Sequence, residues 1–181
     1  MRIELIKNYL PLTTCQQLSQ ITQYGRDNNL MTLGFNTSLR YTSRIKPELY
    51  TYPQIVFDLA AQVRQYCGVS TYPVEPTSGQ DGIVTTHMPT NADIFKYKSG
   101  AVNGQAELWV FIVTQQPESG GNVLIDDVEY IANVGDLLVY ATSNSYTYTT
   151  PVLGTTPRIC WSFGNLVPSD AWESGQIIVG G

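Results

Sequence analysis

Two apolar spacings divide this chain, a helical one before about residue 92 and a two-residue alternation after it. Ile3, Leu5 and Ile6 read as a short strand, and Asn8-Tyr9-Leu10-Pro11-Leu12 as a turn. Thr13 or Thr14 is placed to cap a helix, because a hydroxyl there can accept from a free first-turn N–H. Cys15, Leu18, Ile21 and Tyr24 then recur at helical spacing, and Gly25 is expected to end the element. Asn28 to Arg44 is mixed, with Gly34 and Asn36 as turn formers. A second helix is predicted from Pro53 to Tyr66, with the proline tolerated at its start and Ile55, Val56, Leu59, Ala60 and Val63 as its apolar stripe.

Residues 69–92 carry Pro73, Pro76, Gly79, Gly82 and Pro89, which predicts a long loop interrupted by a strand over Gly82-Ile83-Val84-Thr85-Thr86. Alternation then predicts strands at Asp93–Tyr97, Ala106–Val113, Asn122–Ile125, Val128–Ile131, Asp136–Tyr140, Ser145–Thr150 and Arg158–Phe163. The third and fourth form a hairpin across Asp126-Asp127. Two helices followed by a run of short strands predict an α+β fold whose strands close a sandwich or jelly roll. The expected organisation is a single domain over 1–181: a helical and irregular half at 1–92, a barrel core at 93–164, and a tail at 165–181. The tail, ending in an apolar strand at Gln176–Gly181, packs on the barrel or on a partner, with self-packing favoured.

Composition narrows the partners. Charged residues are only 14% of the 181, and the polar load falls on Thr, Ser, Asn, Gln and 12 tyrosines. Neutral polar groups cost less to desolvate than charges, which suits wide protein interfaces. With a net charge of −5 and no Lys/Arg run, nucleic acid is not an expected partner. No apolar run reaches signal or membrane-spanning length, so synthesis in the cytoplasm and no membrane partner are expected. Cys15, Cys67 and Cys160 lack the spacing of a zinc ribbon or a disulfide scaffold and read as buried thiols.

The order of motifs resembles that of prolyl-4-hydroxylase-like iron/2-oxoglutarate oxygenases. Ile3 to Leu18 is similar to that family's opening strand, Leu-Pro turn and Cys-bearing helix. Asp93 to Gly100 resembles the strand and turn before the first metal ligands, and Gly120-Gly121 the Gly-Gly corner. Val134-Gly135-Asp136-Leu137-Leu138-Val139-Tyr140 resembles the run toward the distal histidine, and Pro151-Val152, Gly154 and Arg158 the closing segment. The resemblance implies a double-stranded β-helix barrel with two flanking N-terminal helices. It also implies a centre of two histidines and a carboxylate, with Arg158 holding the co-substrate.

The chain has one histidine, His87. Where the resemblance puts His-x-Asp/Glu stands Gln105-Ala106-Glu107, and four residues or so before Pro151 stands Tyr146-Thr147-Tyr148. Ferrous iron needs neutral nitrogen donors beside a carboxylate, and an amide oxygen or a protonated phenol is a poor substitute. A degenerate barrel with no cofactor and no catalytic residue is therefore expected: a structural or assembly protein of a virion if phage-derived, and cytoplasmic otherwise. Its partners are protein subunits of a larger assembly, itself included, and its interface candidates are Tyr130, Tyr140, Tyr146, Tyr148 and Trp172. One alternative is a divergent oxygenase using Fe(II) and 2-oxoglutarate through Glu107, His87 and Arg158. The other is a carbohydrate- or ligand-binding jelly roll stacking its ligand on Trp109 and Trp161. Asp126-Asp127 with Glu129 lacks a calcium-loop pattern and reads as a solvated hairpin tip.

Overall fold

Period-two alternation makes each long strand two-faced, and the main sheet uses both faces. In a computed structural model, residues 1–33, 37–38, 41–44, 52–69, 82–98 and 104–180 are described. β1 (Ile3–Ile6) leads into α1 (Leu12–Asp27), which is followed by the short strands β2 (Thr32–Leu33), β3 (Thr37–Ser38) and β4 (Tyr41–Arg44). α2 (Gln54–Tyr66) precedes β5 (Ile83–Met88), β6 (Asp93–Tyr97), β7 (Gln105–Gln115) and β8 (Ser119–Gly120). β9 (Val123–Ile125), β10 (Val128–Tyr130), β11 (Leu137–Ala141), β12 (Thr147–Thr149), β13 (Val152–Leu153) and β14 (Arg158–Pro168) complete the order. The seven-stranded sheet runs β1-β11-β7-β14-β5-β4-β2, and the five-stranded sheet runs β10-β9-β12-β6-β3.

One face of the large sheet takes the helices. Leu108, Val110 and Ile112 of β7, Leu137 and Val139 of β11, and Trp161 and Phe163 of β14 share a core with Cys15 and Leu18 of α1 and Val56, Leu59 and Val63 of α2. The other face turns toward the small sheet, where Leu138, Tyr140 and Ile125 pack with Ile3, Leu5, Phe111, Val123 and Tyr130. This is the jelly-roll double-stranded β-helix with two N-terminal helices on its large sheet.

Several boundaries differ from expectation. α1 starts at Leu12 with Pro11 as its N-cap, so Thr13 and Thr14 lie inside the first turn. Proline has no N–H to satisfy and its fixed φ suits a helix start. Gly25 does not end α1; the helix continues to Asp27, with Gly25 lying against Met31. The buried stripe also includes Ser19 and Thr22, whose hydroxyls bond Thr114 Oγ1 at 2.9 Å and Thr85 Oγ1 at 2.6 Å. Tyr24 is 64% exposed. α2 and its stripe fall as predicted, with Pro53 as the N-cap.

β5 reaches Met88 and all six of its residues are buried, so His87 sits in a central strand rather than a loop. The strands β2, β3 and β4 arise in the stretch read as mixed. β14 runs on past Phe163 to Pro168, opposite Gln105. The expected strand at 176–181 is absent among the described residues; Trp172 and Ile177 instead bury themselves against the chain's own β1 end. Residues 70–81, with most of the Pro/Gly segment, lie outside the described set. Asp126 and Asp127 both take positive φ, 48° and 67°, which gives the β9–β10 hairpin a primed turn matching strand twist.

Asp136 ties the entry of β11 to the β1–α1 turn. It is 1% exposed and accepts from Asn8 N at 2.9 Å, Asn133 N at 2.8 Å and Lys7 Nζ at 2.9 Å. Burial alone would raise its pKa, but the three donors and the Lys7 charge outweigh that and hold it below the ordinary aspartate value. Stability from this group is therefore complete above the ordinary value and lost as pH falls through the lower folded one. Asp136→Asn should cost about 2 to 3 kcal/mol in urea unfolding at neutral pH. It should also reduce the loss of stability expected in the parent chain as pH falls below the ordinary aspartate value of 3.8.

Candidate functional site

Register decides which side chains reach the space between the sheets. Arg158, Cys160 and Ser162 of β14 lie opposite Met88, Thr86 and Val84 of β5 on the inner face. Ile159, Trp161 and Phe163 lie opposite His87, Thr85 and Ile83 on the helix-facing side. On β7, Glu107, Trp109, Phe111 and Val113 fall on the inner side of the alternation.

Arg158 is the cation of this inner space. Only 6% of it is exposed, and its Nη1 contacts Met88 Sδ at 3.9 Å. Met88, Ala92 and Val152 form an apolar cluster beside it. Gly121, at φ 71°, has no Cβ because one would stand 2.9 Å from Arg158 Cδ and 3.3 Å from a Val152 methyl. The Gly-Gly corner is thus the place where the guanidinium stem passes. Among the described residues no carboxylate pairs with Arg158. Guanidinium does not lose its proton in proteins, so an uncompensated positive charge faces the inside of the barrel.

The loop above this end is braced by Glu118. Its carboxylate accepts from the Thr156 N–H at 3.0 Å, Thr156 Oγ1 at 3.0 Å and Thr155 Oγ1 at 3.1 Å. The Thr156 N–H leads in bringing its pKa down to about 2. Because that carboxylate is committed to the 155–156 turn, it is not the missing partner of Arg158.

The middle of the inner space is occupied by a column of rings. Trp109 stacks on Phe111 with centroids 6.2 Å apart, and Phe111 on Tyr140 at 5.5 Å. Tyr140 is 1% exposed, and its hydroxyl meets Thr147 Oγ1 at 3.0 Å. Gly164 lets the Trp109 ring lie flat on β14, since a Cβ there would come within 2.5 Å of it. These contacts are hydrophobic packing with its one buried hydroxyl pair satisfied.

The residues expected to share iron do not meet. His87 points from β5 toward α1, with Nε2 3.2 Å from Gln23 Oε1, on the sheet face opposite Arg158. Glu107 lies across from Leu166, whereas Gln115 of the same strand lies across from Ile159. Eight residues separate those two levels; at strand rise that is about 26 Å, too far for Glu107 and Arg158 to serve one small site. Thr147, four residues before Pro151, is buried and its hydroxyl is taken by Tyr140. Among the described residues no three His, Cys, Asp or Glu side chains gather as a metal site. The donor set does not fit iron.

The interface candidates divide. Tyr146 is 51% exposed and Tyr148 and Tyr130 are half-buried. Tyr140 belongs to the ring column, and Trp172 is 1% exposed with its Nε1 donating to Arg2 O at 2.8 Å and the Arg2 guanidinium 3.7 Å over its ring. Both are internal, because a strand's inner face and a folded-back tail bury them. Trp161 is fully buried and donates to Leu18 O at 3.2 Å, so it offers no stacking platform for a sugar. A polar groove of about 520 Å³ lies on the helix side, lined by Gln16, Ser19, Gln20, Gln23, Thr114 and Gln115. The ring column, the setting of His87 and this groove were not anticipated; alternation along β7 and β5 was the available signal for the first two.

No family model matches the chain, and no curated protein matches it. Solved structures do. A prolyl-4-hydroxylase from Pseudomonas putida superposes with a TM-score of 0.69 at 12% identity, over 90% of this chain and 91% of that one. The viral collagen prolyl hydroxylase from Paramecium Bursaria Chlorella virus-1 superposes at 0.67 and 9% identity, over 92% and 97%. A Trichoplax adhaerens prolyl hydroxylase, solved with a hypoxia inducible factor peptide, gives 0.69 at 10% identity, over 90% and 82%. The fold is the oxygenase double-stranded β-helix. Identity this low speaks for the fold alone, and the site must be read from its own residues.

The tight seat of Trp109 gives a direct check on the ring column. Gly164→Ala should displace the indole, destabilise the chain by about 1 to 3 kcal/mol and shift tryptophan emission to the red. An unchanged spectrum and stability would show that the rings do not fill this space.

Proposed function

We propose that this chain is a non-catalytic, oxygenase-like barrel that serves as a protein-assembly subunit, a virion component if it is phage-derived. The observation that supports this best is the inner space itself. Trp109, Phe111 and Tyr140 line it with stacked rings, the first two partly buried and Tyr140 fully so, and Tyr140 engages the threonine where the resemblance would place an imidazole. What the chain offers outward at the small-sheet end is apolar side chains set among the exposed acidic residues Asp126, Asp127 and Glu129. Tyr146, Val128 and Ile131 are each more than half exposed around the β9–β10 hairpin, which ends the small sheet. Exposed aromatic and aliphatic side chains clustered at one sheet edge suit a surface that is covered in an assembly. Among the described residues no helix is long and apolar enough to cross a membrane.

The test is oligomeric state by light scattering and electron microscopy, for the parent chain and for Tyr146→Ser with Val128→Ser. Larger species that the double substitution disperses are expected. A parent chain that stays monomeric at high concentration would overturn the assembly reading. So would stoichiometric iron uptake with 2-oxoglutarate turnover.

A second reading rests on Arg158. A guanidinium that is 6% exposed and has no carboxylate partner among the described residues suits a small organic carboxylate, 2-oxoglutarate included, held by a bidentate pair. In thermal unfolding, 2-oxoglutarate or succinate should then raise Tm of the parent chain and leave Arg158→Met unmoved. No shift in the parent at millimolar ligand would remove this reading.

A further inference from the structure

His87 is 5% exposed and packed from three sides on the outer face of the large sheet. From α1, Gln23 Oε1 accepts its Nε2–H at 3.2 Å, while Gln23 Nε2 donates to Asp27 Oδ1 at 2.9 Å. From β4, Tyr41 meets the imidazole edge-on, with centroids 6.5 Å apart at 73°, and stands beside it in the sheet register. Arg26 of α1 closes the cluster, its guanidinium 3.7 Å from the centre of the Tyr41 ring. From β14 the neighbour on this face is Ile159, which brings no charge, and Arg158 lies on the opposite face. His87 Nδ1 is buried and has no hydrogen-bond partner among the described residues.

We infer that His87 is an acid-sensitive latch that holds the end of α1 and the outlying strand β4 on the large sheet while its imidazole is neutral. The argument is geometric. In the neutral ring, Nε2–H is used by Gln23 and Nδ1 is a bare lone pair that apolar surroundings tolerate at modest cost. When Nδ1 takes a proton from solvent, the ring becomes an imidazolium with a second N–H, and among the described residues no side chain is placed to accept it; only the histidine's own backbone favours the charged form. The new charge is buried beside the Arg26 guanidinium, and the one nearby carboxylate, Asp27, is already held behind Gln23. Relief requires His87 to reach water. The outlying parts in the way are β4, one strand from the sheet edge, and the last turn of α1, so these should release first. Burial foremost, then the Arg26 charge, lowers the His87 pKa, against smaller opposing pulls from the histidine's own backbone and then from Asp27. The latch is therefore fully closed above the ordinary histidine value of about 6.5 and opens as pH falls below it.

The single histidine makes the readout unambiguous. In an NMR titration from pH 8 to 4.5, the His87 ring should report the Nε2–H tautomer and a midpoint below that of free histidine. Over the same range, amide exchange corrected for intrinsic pH dependence should rise about tenfold at Arg26–Asn28 and Tyr41–Arg44, with β7 and β11 still protected. His87→Gln should abolish the rise. If that variant does not fold, Arg26→Gln serves in its place and should move the midpoint upward. A midpoint at or above the free value, or exchange at these amides that ignores pH or rises equally in the variants, would overturn the latch.

Discussion

Everything in this molecule depends on the large sheet being buried on both faces. A one-residue change of register would send each inner side chain to the helices and each helix-facing one into the barrel. Trp161, Phe163, Leu108 and Val110 are committed to α1 and α2, which leaves Trp109, Phe111, Tyr140 and Arg158 for the inside. The same parity puts His87 outside. Its distance from the barrel interior is a sheet thickness, and no side-chain rotation crosses that.

Much of this was legible in sequence, because two-residue alternation and helical stripes are strong where a face is buried. α2 appeared with its stripe, β7 with its alternation, and the β9–β10 hairpin with its Asp126-Asp127 turn. Less visible was anything whose signal is polar or distant. Ser19 and Thr22 look like solvent residues until Thr114 and Thr85 meet them across the helix–sheet interface. β5 was legible as far as Thr86; its extension through His87 to Met88 was not, because a polar ring and the nearby Pro89 break the apolar run. Tyr140 and Trp172 were misjudged as surface residues for the converse reason. A tyrosine on an inner strand face and a tryptophan on a tail look alike in composition, and only Thr147 and Arg2 reveal where their polar atoms go.

The barrel shows how far a scaffold can be separated from a metal set. Its closing devices are backbone requirements. Gly121 makes room for the stem of Arg158, Gly120 lies under the Pro151 carbonyl, and Gly154 lies under the Glu118 carboxylate. None of these needs an imidazole nearby. Thr147 and Tyr140 answer instead to packing, their hydroxyls bonded to each other within the inner face. A barrel can therefore keep its turns and its register while its interior becomes core.

Arg158 does not fit that account of simple filling. A guanidinium among Met88, Ala92 and Val152 carries a desolvation cost of several kcal/mol that no ion pair among the described residues offsets, and a methionine or leucine of similar volume would pack there more favourably. The Met88 sulfur is a weak acceptor and cannot replace a carboxylate. Folding energetics thus supply a reason for Trp109, Phe111 and Tyr140, and none for Arg158. If the inner space were pure core, this is the residue that would be out of place. A carboxylate drawn from solution is the group whose charge and planar two-oxygen geometry would remove the anomaly.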